Sequence, residues 1–325
     1  MIDTLKTYWS YLPANESLVH FGRRSVKTRA FGVWRRSRLR WTAPTPREQE
    51  ARAGLVAGMT ALRPSSAEDG ASWVGFTATL RETGRTRDPR AFLTWPIVRS
   101  TMFAARDSPW VALRVAALQA SPRWSTDWQA ALVEDDAGSP EPYAGLPTSS
   151  GTLIQHAYHL EMFEQVTGQR LQDVATVVEF GGGYGSMCRL LHRVGFQGTY
   201  LIQDLPESNE IQRYFLAAAG ITPKADVTFV SDPDEIDRLT KDPDRPAALI
   251  ATWSLSEAPV SVRDRLLDAV ADFDVFLLSY QLEFDGVDNV EYFNSIVERF
   301  PDHEWHDFKC EGLPVSRYLF GTRKP

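Results

Sequence analysis

The stretch VVEFGGGYGSMCRLLH, Val177 to His192, sets an acid at Glu179 and glycines at Gly181, Gly182, Gly183 and Gly185 directly before an amphipathic run that opens at Ser186. A β-branched run followed by glycines and then a 3.6-residue period reads as strand, tight turn and helix. Glycine lets the backbone turn sharply and come close to a ligand, and the helix N-terminus offers free N–H groups to it. A nucleotide-like ligand suits that junction. The spacing narrows the choice. A dinucleotide fingerprint needs glycine at 186, where Ser186 stands, and a P-loop needs Gly-Lys before Ser or Thr, which the segment lacks. What stands instead is Glu-x-Gly-x-Gly-x-Gly.

The elements that must position this loop are legible on both sides of it. A helix over about Thr152 to Val166 precedes a strand at Thr176–Phe180, with a helix from Ser186 and a strand at Gly198–Gln203 after it. Helices at Asn209–Ala219, Glu235–Thr240, Ser261–Ala271 and Val290–Phe300 then alternate with strands at Asp226–Val230, Ala247–Thr252 and Val275–Tyr280. Such alternation predicts right-handed crossovers and an α/β fold, a doubly wound, parallel Rossmann-like sheet. Trp305–Phe308 and Arg317–Gly321 are expected to add two antiparallel edge strands.

Residues 1–133 read as a helical N-terminal domain that covers the substrate or forms a dimer. Thr45-Pro46-Arg47-Glu48 is a capping box with proline at the first helical position, and Asp88-Pro89, Ser108-Pro109 and Ser121-Pro122 repeat the cap-then-proline signal. Eight of the ten tryptophans fall before residue 130, too heavy an aromatic load for a disordered arm. Residues 134–151, EDDAGSPEPYAGLPTSSG, read as a linker or lid.

The pattern around Glu179 resembles motif I of class I S-adenosylmethionine-dependent methyltransferases, which would make 152–325 the methyltransferase domain and S-adenosyl-L-methionine the cofactor. The resemblance assigns Glu179, Gly181, Gly183 and Gly185 to the cofactor. It gives Asp204, in YLIQDLPE, the two ribose hydroxyls, Asp232, in VTFVSD, the adenine amine, and Tyr184 a place over the methionine end. EFGGGYG, DLPE and WSLSEAP together resemble bacterial sugar O-methyltransferases over 146–325, with Trp253 and Leu255 where that pattern has Asn and Phe. The methyl acceptor so implied is a small molecule, a hydroxyl of a sugar or specialised natural product.

Methyl transfer to a hydroxyl needs in-line geometry and a proton acceptor. Glu257, after the fourth strand, is the first candidate base, against a role as a solvated acid near the helix at Ser261. His156 and His159, on the helix entering the domain, are the alternatives, each weighed against a structural histidine. Asp285, Asp288 and Glu291 read as a solvated loop rather than a cation site. His303 and His306 point to opposite faces of a strand, and no metal is expected.

Composition bounds the class. The 325 residues are 43% hydrophobic and 24% charged, ordinary for a globular protein. Without an apolar run of membrane-spanning length or a secretory leader, a cytoplasmic location is expected. Cys188 and Cys310 suggest no disulfide framework. Residues 1–150 carry 20 Lys and Arg against 14 Asp and Glu, and residues 151–325 carry 15 against 28. The acidic half argues against nucleic acid. The basic run Gly22 to Trp41 is assigned to the acidic half of its own chain or to a second copy in a homodimer, rather than to nucleic acid or a membrane. An N-methyltransferase, an RNA methyltransferase or a non-catalytic S-adenosylmethionine-binding scaffold are the rival readings.

Overall fold

The computed structural model describes residues 41–63, 71–102, 108–221, 227–240 and 246–325, with Ala30 and Leu39. The basic run Gly22 to Trp41 therefore lies almost wholly outside the described residues.

The N-terminal region contributes α1 (Pro46–Ala61), α2 (Ala71–Thr86), α3 (Pro96–Thr101) and α4 (Pro109–Ala120). The capping box forms as the sequence predicts. Thr45 Oγ1 accepts from the Glu48 N–H at 3.2 Å and Glu48 Oε2 accepts from the Thr45 N–H at 2.6 Å. Asp88-Pro89 and Ser108-Pro109 also stand at helix starts, and the caps differ in kind. Asp88 caps a 3₁₀ turn at Pro89–Thr94, Ser108 makes no side-chain cap, and Ser121-Pro122 leads into a five-residue π-helix at Trp124–Trp128.

Residues 134–151, read as a linker or lid, form a strap packed on the rest of the chain. They contain the hairpin β1 (Pro142–Tyr143) and β2 (Leu146–Ser150), and Tyr143, Ser149 and Ser150 are buried. Glu134 and Asp135 tie the strap to the helix after the glycine loop. Arg189, buried on the helix after the glycine loop, donates to Glu134 at 2.7 Å and to Asp135 at 2.6 Å.

The strap ends at Ser150, the N-cap of α5 (Gly151–Thr167), and α5 feeds β3 (Thr176–Phe180). Next come α6 (Ser186–Arg193), β4 (Thr199–Gln203), α7 (Pro206–Ala218), β5 (Val227–Val230), α8 (Asp234–Leu239) and β6 (Ala247–Thr252). The chain continues through α9 (Ser254–Glu257), α10 (Val260–Ala269), β7 (Val275–Gln281), the small hairpin β8 (Glu283–Phe284) and β9 (Val287–Asp288), and α11 (Asn289–Arg299). It closes on β10 (His303–Lys309) and β11 (Ser316–Arg323).

The seven-stranded sheet has the order β10-β11-β7-β6-β3-β4-β5, with β3 to β7 parallel and β10 and β11 antiparallel to their neighbours. It is a doubly wound, Rossmann-like sheet. The expectation of two antiparallel edge strands is corrected at β11, which lies inside the sheet between β7 and β10. Burial explains the placement: Tyr318, Leu319 and Phe320 are all buried, so β11 needs cover on both faces, whereas polar β10 suits the edge.

From β3 the chain moves outward to β4 and β5, then returns to β6 on the other side of β3. That reversal makes the carboxyl ends of β3 and β6 the topological switch point, where open α/β sheets bind ligands. One face of the sheet packs against α5, α6, α7 and the N-terminal helices in a core running from Leu55 to Phe320. The other face packs against α10 and α11. The N-terminal region thus shares its core with the sheet.

Candidate functional site

The glycine loop stands at the switch point. Gly181 and Gly183 hold φ of 69° and 57°, the left-handed region that favours glycine. A Cβ on Gly181 would lie 2.3 Å from Ser254 Cβ, so its lack of a side chain lets the loops after β3 and β6 approach each other. Ser254 seals that contact by donating its hydroxyl to the Phe180 carbonyl. A Cβ on Gly183 would meet nothing within 4 Å, so the loop is open there. The Gly181 N–H donates to the Gln203 carbonyl at 2.8 Å, tying the loop to the end of β4.

Two carboxylates flank the loop. Glu179 is buried beneath it, accepts from the Tyr200 hydroxyl at 2.8 Å, and lies 3.2 Å from where a Gly182 Cβ would stand. Burial pushes its carboxyl up to about 8; the Tyr200 hydrogen bond opposes that shift and the charge of Asp204 adds to it. Asp204 directly follows β4 and is partly exposed. Its Oδ1 accepts from the Leu205 N–H at 2.7 Å and its Oδ2 from Gln212 Nε2 at 2.7 Å. Burial raises it to about 7 against those hydrogen bonds.

Glu179, the loop glycines and Asp204 are thus brought together; other residues singled out from the sequence lie elsewhere. Tyr184 does not face the opening. Its buried ring packs edge-on against Phe92 and Phe215, with centroids 5.9 and 4.9 Å away. Asp232 pairs with Arg265 on α10 and accepts from the Asp234 N–H at 3.1 Å, which leaves it exposed at the start of α8. Its position after β5 agrees with the sequence; its carboxylate is committed to a surface ion pair.

On the other side of the switch point, Glu257 closes the short α9. Gln281 Nε2 donates to its carboxylate at 3.3 Å, and Trp73 of α2 donates Nε1 to its backbone carbonyl at 3.4 Å. Burial raises the Glu257 carboxyl above the usual glutamate range, opposed by the Gln281 hydrogen bond. His159 is fully buried with both nitrogens engaged. Arg114 Nε donates to Gln155 Oε1 at 3.2 Å, which turns the Gln155 amide nitrogen toward His159 Nε2 at 3.0 Å. Nδ1 then carries the proton and donates to the Tyr318 oxygen at 2.7 Å. In this arrangement both nitrogens of His159 are engaged within the fold. His156 has an enclosed Nδ1 with no partner, and burial, with Arg189 nearby, pushes it down to about 4. It stays neutral at neutral pH and is a weak base.

Asp288 caps α11 through the N–H groups of Val290 and Glu291, and no metal-binding cluster of three His, Cys, Asp or Glu occurs among the described residues. Cys188 and Cys310 are buried free thiols. No described helix is long and apolar enough to cross a membrane.

Three site residues escaped the sequence. Tyr200 holds Glu179, and Gln212 spans the loop and Asp204. Trp253 ends β6 at φ 67°, a conformation costly for a bulky residue, held by its N–H to the Ser279 carbonyl at 2.7 Å and its Nε1 to Ser316 Oγ at 3.2 Å. Tyr200 and Gln212 lie outside every motif, and Trp253 stands in WSLSEAP with no role read from it there. Their roles depend on which strand ends meet.

No known family model matches the sequence, and no curated protein does. Solved structures do match. The mitomycin 7-O-methyltransferase MmcR is similar at 16% identity over 68% of this chain and 74% of that one, with a TM-score of 0.37. The N-terminal domain of EvdMO1, solved in the presence of SAH and D-fucose, matches at 15% identity over 52% and 83%, TM-score 0.37. Magnesium protoporphyrin IX methyltransferase from Synechocystis PCC 6803 with bound SAH matches at 12% identity over 52% and 83%, TM-score 0.37. Likeness at this level assigns no reaction to the chain.

Proposed function

We propose that the chain is an S-adenosylmethionine-dependent O-methyltransferase acting on a hydroxyl of a small molecule, a sugar or specialised metabolite. One observation carries the reading: the glycine loop between β3 and α6 is open above Gly183 and is tied to Asp204 at the switch point of the sheet. The residues fit the cofactor. Gly183 leaves room for a ligand against the backbone, and Asp204 sets a partly exposed carboxylate beside that opening, suited to a pair of ribose hydroxyls. Glu179, under the loop, would hold its shape rather than touch the ligand.

When bound, S-adenosylmethionine supplies a methyl group activated by a sulfonium. The chain's own tasks are to orient the acceptor, exclude water and remove one proton. Glu257 suits the last task, because burial raises its carboxyl toward the operating pH and Gln281 fixes its direction. Only its ionised form accepts a proton, so turnover should rise with pH through that raised pKa. The narrower acceptor class rests on the likeness of EFGGGYG, DLPE and WSLSEAP to the bacterial sugar O-methyltransferases.

Calorimetry with S-adenosylhomocysteine tests the reading. Wild type should bind, and Asp204→Ala should bind tenfold or more weakly, the worth of about 1.5–3 kcal/mol for hydrogen bonds to a charged group. Unchanged affinity in a folded Asp204→Ala protein would overturn the assignment. With a hydroxyl acceptor that wild type methylates, Glu257→Gln should keep that affinity and lose roughly 10²- to 10⁴-fold in turnover.

A further inference from the structure

Gln212 lies on α7, eight residues beyond Asp204, and is fully buried. Its Nε2 donates to Asp204 Oδ2 at 2.7 Å and to the Gly183 carbonyl at 3.1 Å. Both partners are acceptors, which fixes the amide's orientation, since the reverse would set Oε1 against two oxygens. The same nitrogen lies 3.4 Å from where a Gly182 Cβ would stand, directly under the loop. Its Oε1 is enclosed without a hydrogen-bond partner. A buried amide that leaves one end unsatisfied while spanning two acceptors is a costly choice for a helix that only needs packing.

We infer that Gln212 is a positioning residue for cofactor binding: its amide locks the open apex of the glycine loop to the Asp204 carboxylate, so that the two surfaces of the nucleoside site are set at a fixed separation before ligand arrives. The inference rests on the proposed cofactor. It assigns the preorganisation of the site to a residue outside every motif in the sequence. Removing the amide frees the loop from the acid and strips a donor from the ionised carboxylate. Asp204 then holds its proton to higher pH, and the ribose hydroxyls lose their charged acceptor over that range.

The charged and titratable group facing Asp204 from β3 is Glu179; from α7 it meets Gln212 and Ser208, and from the loops the N–H groups of Gly183 and Leu205. Glu179→Gln therefore serves as the background that separates the two titrations.

The experiment is S-adenosylhomocysteine affinity by calorimetry from pH 5.5 to 9 for wild type, Gln212→Leu and Gln212→Glu, each also with Glu179→Gln. Absence of binding to wild type removes the cofactor assignment itself. If wild type binds, Gln212→Leu should bind about tenfold more weakly at neutral pH, with the midpoint of its affinity profile moved upward by about one pH unit, and Glu179→Gln should leave that movement intact. Gln212→Glu, of the same size, should bind weakly at high pH and recover as pH falls and a carboxyl regains its proton. A folded Gln212→Leu protein with the wild-type affinity and midpoint overturns the inference. So does a loss of affinity that is equal at every pH, which is the mark of packing alone. Should Gln212→Leu fail to fold, wild-type behaviour of Gln212→Glu across the range overturns it equally.

Discussion

Glu179, buried in β3, and Asp204, partly exposed just after β4, lie on adjacent strand ends, and their environment turns them into a measurable pH response. Burial raises Glu179 to about 8 and Asp204 to about 7, while the unfolded chain ionises both near pH 4. Between those limits the folded state binds more protons than the unfolded one, so these acids contribute full stability below about pH 4 and lose it as pH rises toward 8. Other carboxylates act with the opposite sign, so the difference between two proteins is the informative quantity. Glu179→Gln keeps an oxygen for the Tyr200 hydroxyl and removes one titration. Its unfolding free energy should gain on the wild type by a few kcal/mol as pH is raised from 5 to 8, at 1.36 kcal/mol per pKa unit. Urea denaturation at several pH values measures the gap; a gap that stays constant would mean that Glu179 is ionised in the folded protein throughout.

At the scale of elements, the strap and α6 show how the chain holds a loop whose glycines would otherwise be loose. Arg189, four residues after Gly185, sits with 1% of its side chain exposed and binds Glu134 and Asp135 from the strap. A buried guanidinium with two carboxylates is intolerant of losing its partner. Arg189→Met should cost about 3–5 kcal/mol, read from denaturant midpoints, because it takes the ion-pair partner from Glu134, whose side chain is only 8% exposed. A cost below about 1 kcal/mol would show that water reaches those acids. This contact was invisible in the sequence, where Gly, Pro and Ser at 134–151 read as a linker or lid. Strands β3 and β6, by contrast, fall on the residues that the apolar runs predict, and the loop between β3 and α6 was legible from glycine spacing. What sequence patterns report is local period and turn chemistry. The insertion of β11 beside β7, the inward turn of Tyr184 and the reach of Gln212 under the loop depend on pairings between distant segments, which no local period carries.

The molecule as a whole ties its two halves through one core and several enclosed ion pairs, among them Arg81–Glu207 and Arg189–Glu134, and this bears on what the N-terminal half can be. Phe92 packs edge-on against Tyr184, Tyr214 and Phe215, with centroids 5.9, 5.9 and 6.1 Å away, so the aromatic neighbour of the glycine loop is roofed by a residue from the N-terminal region. Arg81 of α2 reaches across to Glu207 in the first turn of α7, donating Nε at 2.9 Å, and Glu207 is fully buried. Trp73 of the same helix meets the carbonyl of Glu257. A chain cut to begin near Pro147 would uncover the aromatic face of α7, leave Glu207 charged against apolar surroundings and deprive Arg189 of the strap's two acids. Each unpaired buried charge costs about 3–5 kcal/mol, and a domain's whole stability is about 5–15 kcal/mol. Deleting residues 1–146 should therefore give an insoluble protein or one without S-adenosylhomocysteine binding, judged by soluble yield, circular dichroism and calorimetry. A soluble fragment from Pro147 that binds as the full chain does would mean that the helices rest on the sheet as an accessory, with the loop and Asp204 held by α7 alone.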